Sequence, residues 1–302
     1  MSAIRQVALL GLGEVGSILA RDLLVQGGIA LRLWDRQFDD PGSAPSRTRD
    51  ALLALDGVGA ADSAGEAAAG CELVISAVTA DQDLAAAASV LPGLPQGCWF
   101  LDLNSVAPST KRSAADLIDA AGGRYVEASV MSPIGPRRIR SPILLAGPHA
   151  EAFEPLARQL GFAGASFYSA EPGRAAATKM CRSVIVKGME ALVSESLLAA
   201  RHYGVEEEVL TSLNDLFPHP DWAQHARYLI SRTLEHGVRR SEEMREVART
   251  VADAGLDPWM SRACVERQAW APGFADALSE EELVPMLDRI RTDFTSSTTK
   301  GE

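Results

Sequence analysis

The sequence predicts an α/β chain, with a doubly wound parallel sheet over residues 1–171 and an all-helical domain over residues 172–302. Three observations carry the prediction. Short apolar runs alternate with helix-periodic stretches through the first half. The connections are long enough for crossover helices, which join parallel strands. Beyond Glu171 no convincing strand pattern appears, only long periodic helical segments.

Ile4–Leu10 is a short apolar run that reads as the first strand, and Glu14–Gln26 follows with helical periodicity in Val15, Ile18, Leu19 and Leu23. Ile29–Trp34 is the next strand, ending at Asp35-Arg36. Gly42–Arg49 is polar and rich in turn formers, and a helix is expected around Asp50–Leu55. Leu73–Val78 is continuously apolar, as in a strand buried on both faces. Trp99–Leu103, Tyr125–Val130, Ile143–Ala146 and Ser166–Tyr168 continue the series. A helix of about Arg174–His202 is long enough to connect two domains. Further helices run about Glu206–Leu216, Trp222–His236, Ser241–Ala254 and Pro258–Gln268, with Pro218, Pro220, Gly237, Gly255 and Pro272 as punctuation. Pro218–Trp222 reads as a rigid turn into a helix, and the polar tail Thr295–Glu302 is expected to fray.

At 47% hydrophobic and 23% charged residues, the composition is that of a globular chain of two domains, which excludes collagen-like, disordered and disulfide-scaffold classes. A net charge of −11 without a basic tract argues against nucleic acid or an anionic membrane as partner. An anionic ligand must then be caught by a local cationic site. No apolar stretch reaches the ~20 residues of a membrane helix, and the first residues lack a secretory signal pattern. Cys71, Cys98, Cys181 and Cys264 are scattered and read as small core residues in a reducing compartment. The five histidines form no metal-binding pattern, so no metal is expected. A soluble, cytoplasmic protein is the expectation.

Gly11-Leu12-Gly13-Glu14-Val15-Gly16 sits between the first strand and the first helix. Gly11 permits a tight turn, Gly13 lets backbone approach a pyrophosphate, and Gly16 lets the helix pack closely on the sheet. The helix start then offers unpaired N–H groups and a positive dipole end to phosphates. Asp35 follows Gly16 by 19 residues, where an acid can accept the ribose hydroxyls. The strand–turn–helix–strand–acid order marks a Rossmann-type dinucleotide site. Asp35 repels a 2′-phosphate and favours NAD, while the adjacent Arg36 can meet that phosphate and keeps NADP open.

With that turn, the loop after Leu73–Val78, the stretch Asp102-Leu103-Asn104-Ser105 and the spacing Gly173-x5-Lys179 stand in the order found in the β-hydroxyacid dehydrogenases, a family that includes 3-hydroxyisobutyrate and 6-phosphogluconate dehydrogenases. The sequence resembles that family over its first ~200 residues, and its remainder is similar to the helical C-terminal domain of one branch. The resemblance implies that Val78 and Thr79 cover the cofactor and that Asn104 and Ser105 contact its nicotinamide end. It implies Lys179 as the catalytic lysine, with Ser183 where many members have Asn. Glu127-Ala128-Ser129-Val130-Met131-Ser132-Pro133 falls on the family's substrate-carboxylate loop Asp-Ala-Pro-Val-Ser-Gly-Gly. Ser129, Met131 and Ser132 are thus implied substrate residues, although Met131 and Ser132-Pro133 depart from the pattern and put the usual small hydroxyacids in doubt.

Oxidation of a secondary alcohol needs a hydride acceptor and a group that takes the hydroxyl proton; reduction needs the same group to return it. A lysine can do both if burial or neighbouring positive charge lowers its pKa. Lys179, Arg182, Ser183 and Lys187 fall at helical spacing, so a cationic face opposite the nicotinamide would tune the lysine and attract a small anionic substrate. Arg137, Arg138 and Arg140 are either solvated loop residues or a carboxylate clamp. Arg239-Arg240 lies where the family often places a late Lys-Asp pair. The leading reading is an NAD(P)-dependent dehydrogenase acting on CH–OH, assembled as a homodimer through the helical domain. An imine reductase of related architecture and a non-catalytic dinucleotide-binding protein are the alternatives.

Overall fold

The computed structural model describes residues 4–216 and 221–298. Residues 218–220, where a rigid turn is expected, and the last four residues of the tail lie outside the described residues. Eight strands form one sheet: β1 (Gln6–Leu10), β2 (Ala30–Trp34), β3 (Val58–Ala60), β4 (Leu73–Ser76), β5 (Trp99–Asp102), β6 (Arg124–Val130), β7 (Ile143–Ala146) and β8 (Ala165–Ser169). Their order is β3-β2-β1-β4-β5-β6-β7-β8, with every neighbouring pair parallel except β6–β7. The chain reverses its winding between β1 and β4, the position where open α/β sheets leave a crevice at their carboxyl ends.

Seven helices accompany the strands: α1 (Glu14–Gln26), α2 (Ala44–Leu53), α3 (Ala64–Ala68), α4 (Asp83–Val90), α5 (Pro108–Ala120), α6 (Ile134–Arg137) and α7 (Ala150–Gln159). Alternate strand residues point to opposite faces, which gives the sheet two apolar layers. Leu9, Leu31, Ile75 and Leu101 face Leu19 and Leu23 of α1 and Phe153 and Leu156 of α7. Ala8, Leu10, Val74 and Phe100 face the alanines of α3 and α4 and Ala114 and Ile118 of α5. Each fully buried Leu or Ile contributes about 1.5–3 kcal/mol.

The chain divides into two compact units, Met1–Met180 and Cys181–Glu302, within α8 (Arg174–Tyr203). The second unit continues with α9 (Glu206–Leu216), α10 (Trp222–Asp253), α11 (Trp259–Trp270) and α12 (Leu283–Thr298). Its core is built from Ala226, Ile230 and Leu234 of α10 with Leu283, Met286, Leu287 and Ile290 of α12.

Several elements differ from the sequence expectation. Helix α2 begins at Ala44, not near Asp50, because the Ser43 hydroxyl accepts the Ser46 N–H and Pro45 sits in the first turn. The two helices expected on either side of Gly237 are one helix, α10. A Cβ at position 237 would lie 2.3 Å from the Gln268 carbonyl oxygen, so this glycine serves close helix packing and ends nothing. Of the four cysteines, Cys71, Cys98 and Cys264 are buried but Cys181 is exposed.

Candidate active site

The glycine turn leaves β1 by a backbone that few side chains tolerate. Gly11 has φ +86°, its N–H donates to the Trp34 carbonyl at 3.0 Å, and a Cβ there would lie 2.5 Å from the Ala77 oxygen. The exits of β1, β2 and β4 are thereby pressed together. A Cβ on Gly16 would fall 1.8 Å from the Gly11 oxygen, so helix α1 closes directly over the turn. Gly13 is different: it is exposed, and a Cβ would meet nothing within 4 Å. It is also the N-cap of α1 and supplies no side-chain acceptor to the first-turn N–H groups. Open space beside the N–H groups of a helix start fits a pyrophosphate. Around it Leu12 is buried, Val15 half-buried and Glu14 exposed.

Asp35 braces this turn. Its Oδ2 accepts the Leu12 N–H at 2.8 Å and its Oδ1 the Gln37 N–H at 2.9 Å. A carboxylate has about four acceptor sites, which leaves room for ribose hydroxyls. Arg36 is exposed. After β4, the Thr79 hydroxyl donates to Asp81 at 2.5 Å and Gln82 donates at 2.9 Å. These bonds, with a smaller contribution from the Arg36 charge, hold the Asp81 carboxyl below its ordinary value.

Asn104, past the end of β5, is buried and uses its side chain inside the protein. Its Oδ1 accepts the Val78 N–H at 2.8 Å, and its Nδ2 donates to Ser76 at 3.0 Å and to Asp83 at 2.7 Å. Asp102 Oδ1 takes the Asn104 N–H at 3.0 Å and the Lys111 ammonium at 2.6 Å, while Oδ2 takes the Tyr125 hydroxyl at 2.7 Å. Lys111 has no solvent exposure and stands 4.0 Å from Asp83. Burial, reinforced by the Asp102 charge, pushes the Asp83 carboxyl up to about 8. This lysine–carboxylate network fixes the loops after β4 and β5 against each other.

The next residue is Ser105, and the Lys179 ammonium donates to its hydroxyl at 2.6 Å. Two features seat the start of α8. Gly173 has φ +89°, and a Cβ there would lie 2.8 Å from the Pro108 oxygen. The buried Glu127 carboxylate accepts the N–H groups of Gly173 and Ala176.

Of the other expected site residues, Ser129 is buried on β6, and Met131 and Ser132 are half-buried beyond it. The Met131 N–H donates to Pro142 and the Ser132 hydroxyl to Pro133. In the second unit Arg182 is exposed and Ser183 buried. Lys187 forms a buried ion pair with Glu243, and burial pushes its pKa down. Its charge is therefore committed to a partner instead of standing in an unpaired cationic face. Arg240 is likewise paired with the buried Glu190. Arg138 binds Asp22 at 2.7 Å, which removes it from a carboxylate clamp. Among the described residues no group of three or more His, Cys, Asp or Glu is placed to hold a metal, and no helix is long and apolar enough to cross a membrane.

Sequence reasoning passed over Asp83, Lys111 and Tyr125. Lys111 did leave a signal: it shares the buried face of α5 with Ala114, Ala115 and Ile118, a spacing normally filled by apolar side chains.

Residues 6–170 match the family described as the NAD-binding domain of 6-phosphogluconate dehydrogenase, and residues 200–271 match a domain of unknown function, DUF1932. The structure of a conserved hypothetical protein from Sinorhizobium meliloti 1021 is 36% identical, with a TM-score of 0.73 over 95% of this chain and 97% of that one. A glyoxylate/succinic semialdehyde reductase of Arabidopsis thaliana is 26% identical over 70% of this chain and 71% of its own length. A 3-hydroxyisobutyrate dehydrogenase of Pseudomonas aeruginosa is 26% identical over 72% and 71% respectively. The chain belongs to the family built on the 6-phosphogluconate dehydrogenase NAD-binding domain, and it is an NAD(P)-binding oxidoreductase fold of the 3-hydroxyacid dehydrogenase type with an all-helical C-terminal domain.

Proposed function

We propose that the protein is an NAD-dependent dehydrogenase that interconverts the alcohol and carbonyl forms of a β-hydroxyacid-like substrate, with Lys179 as the proton-transfer group. The observation that carries this reading is the 2.6 Å hydrogen bond from Lys179 to Ser105, at the carboxyl rim of the same sheet that carries the glycine turn. A nicotinamide dinucleotide supplies the hydride chemistry when bound, and the donors after Gly13 with the Asp35 carboxylate are the residues that would hold it. As an amine, Lys179 takes the substrate hydroxyl proton during oxidation; as an ammonium, it returns a proton to the carbonyl oxygen during reduction. In either form Ser105 holds one Nζ hydrogen and so orients the rest of the group, the free hydrogens of the ammonium or the lone pair of the amine. Ser129, Met131, Ser132, Arg182 and Ser183 are the proposed substrate residues. The names of the Arabidopsis and Pseudomonas relatives describe small carboxylates carrying a carbonyl or a hydroxyl, which supports this substrate class.

Replacing Lys179 by Ala is expected to leave NAD affinity unchanged and to lower turnover by roughly 10²–10⁴-fold, the usual share of general acid–base catalysis. A screen of hydroxyacids, sugar acids and β-hydroxy amino acids with NAD and NADP supplies the substrate for the assay. A variant that keeps more than about a tenth of the wild-type rate would assign the proton elsewhere, on that scale, and bring the imine-reductase or non-catalytic readings forward.

We further propose a homodimer through the helical unit. Ile185, Met189 and Leu192 are exposed at 66%, 38% and 55% at i, i+4, i+7 spacing on α8, an apolar stripe that a monomer leaves in water. Sedimentation at micromolar concentration should show a dimer, and Ile185→Lys with Leu192→Lys should dissociate it. A wild-type monomer overturns the assignment.

A further inference from the structure

We propose that Glu127 is a positioning residue for Lys179: one buried carboxylate ties β6 to the first turn of α8 and thereby sets where the lysine stands beside Ser105. The inference rests on the role proposed for Lys179. Glu127 has no solvent exposure, and its two oxygens serve two different donors: Oε2 accepts the Gly173 N–H at 2.5 Å and Oε1 the Ala176 N–H. Both N–H groups belong to the helix start, where no intrahelical carbonyl is available. A carboxylate there also meets the positive end of the helix dipole.

Lys179 follows Ala176 by three residues, less than one turn. A slip or rotation of the first turn therefore passes directly to a side chain whose Nζ lies 2.6 Å from its partner. The left-handed Gly173, seated against Pro108, leaves the chain one route into the helix. The anchor also lies on the strand that leads to Ser129 and Met131, so substrate residues and lysine are referred to one fixed point. The charged and titratable groups that face Glu127 are Lys111 from α5, Asp102 from β5 and Tyr125 on β6. Burial raises the Glu127 carboxyl above its ordinary value, opposed by Lys111 and the two N–H bonds. A protonated carboxyl turns one oxygen into a donor and leaves it a much weaker acceptor for its N–H group. Acidification through that raised value should release the helix start.

The test is Glu127→Gln in the full chain, since an amide offers one acceptor where the carboxylate offers two. Backbone hydrogen exchange over residues 173–177, kcat, KM and NAD affinity are measured together. Exchange at that segment should accelerate while the sheet stays protected. The kcat should fall roughly 10- to 100-fold, the scale of an ångström-sized misplacement, with NAD affinity kept and the Glu127 step absent from the acid limb of the pH profile. Unchanged exchange, or faster exchange with an unchanged kcat, overturns the proposal. Lys179→Ala run in parallel separates the two failures. If that variant stays active, the lysine assignment falls and the positioning role with it; if it is inactive beside a fully active Glu127→Gln, the positioning role alone falls.

Discussion

Replacing Lys111 by Met tests whether the buried network is electrostatic or only space-filling. Lys111 and Asp102 have side-chain exposures of 0% and 1% and are 2.6 Å apart, so the substitution leaves a carboxylate in the interior without its counter-charge. Breaking one side of a buried pair costs about 3–5 kcal/mol. Asp102 keeps the Tyr125 hydroxyl at 2.7 Å and the Asn104 N–H at 3.0 Å. Hydrogen bonds to a charged group are worth about 1.5–3 kcal/mol each, which places the loss near the lower end, about 3 kcal/mol at pH 7. Urea unfolding of both proteins at pH 7 reads this out. A loss below about 1 kcal/mol, well under the cost of an orphaned buried charge, would refute the reasoning.

Cofactor choice and turn geometry give two further expectations. Calorimetric titration at matched ionic strength should show NAD binding more tightly than NADP, because the Asp35 carboxylate proposed to accept the ribose hydroxyls would repel a 2′-phosphate while Arg36 is exposed; a tenfold or larger preference for NADP would pass the deciding role to Arg36. Gly16→Ala should abolish NAD binding in the same titration, since its Cβ would overlap the Gly11 oxygen at 1.8 Å.

The parts of the fold that were legible in the sequence are those whose signal is local. Glu14–Gln26 shows its apolar period and is observed with those bounds, and Ile143–Ala146 stands as an uninterrupted apolar run between the chain breakers Pro142 and Gly147. Helix α2 was hidden because its cap, Ser43, sits among residues that equally make a turn. Gly237 misled for the opposite reason: its function is contact with a distant carbonyl, which local sequence does not reveal. The same division holds in the site. The glycine turn is a contiguous motif, whereas Glu127 and Gly173 are 46 residues apart and meet only after the sheet is built. Lys111 could have been read as buried from its helical face, but its partners Asp83 and Asp102 could not.

The sheet mixes near and distant pairings, and this has a consequence for how the protein is made. Val130 on β6 pairs with Ile143 on β7, 13 residues away, whereas Val7 on β1 pairs with Leu73 on β4, 66 residues away. The difference in loop-closure entropy, (3/2)RT ln(66/13), is only about 1.4 kcal/mol. Sequence separation is thus a small penalty on the finished fold and a larger one on the rate of reaching it. The β6–β7 hairpin is the part of the sheet that can form first, and the glycine turn, wedged between β1 and β4, belongs to the part that forms late. While the chain is being synthesised, the binding turn exists in sequence long before it exists in space.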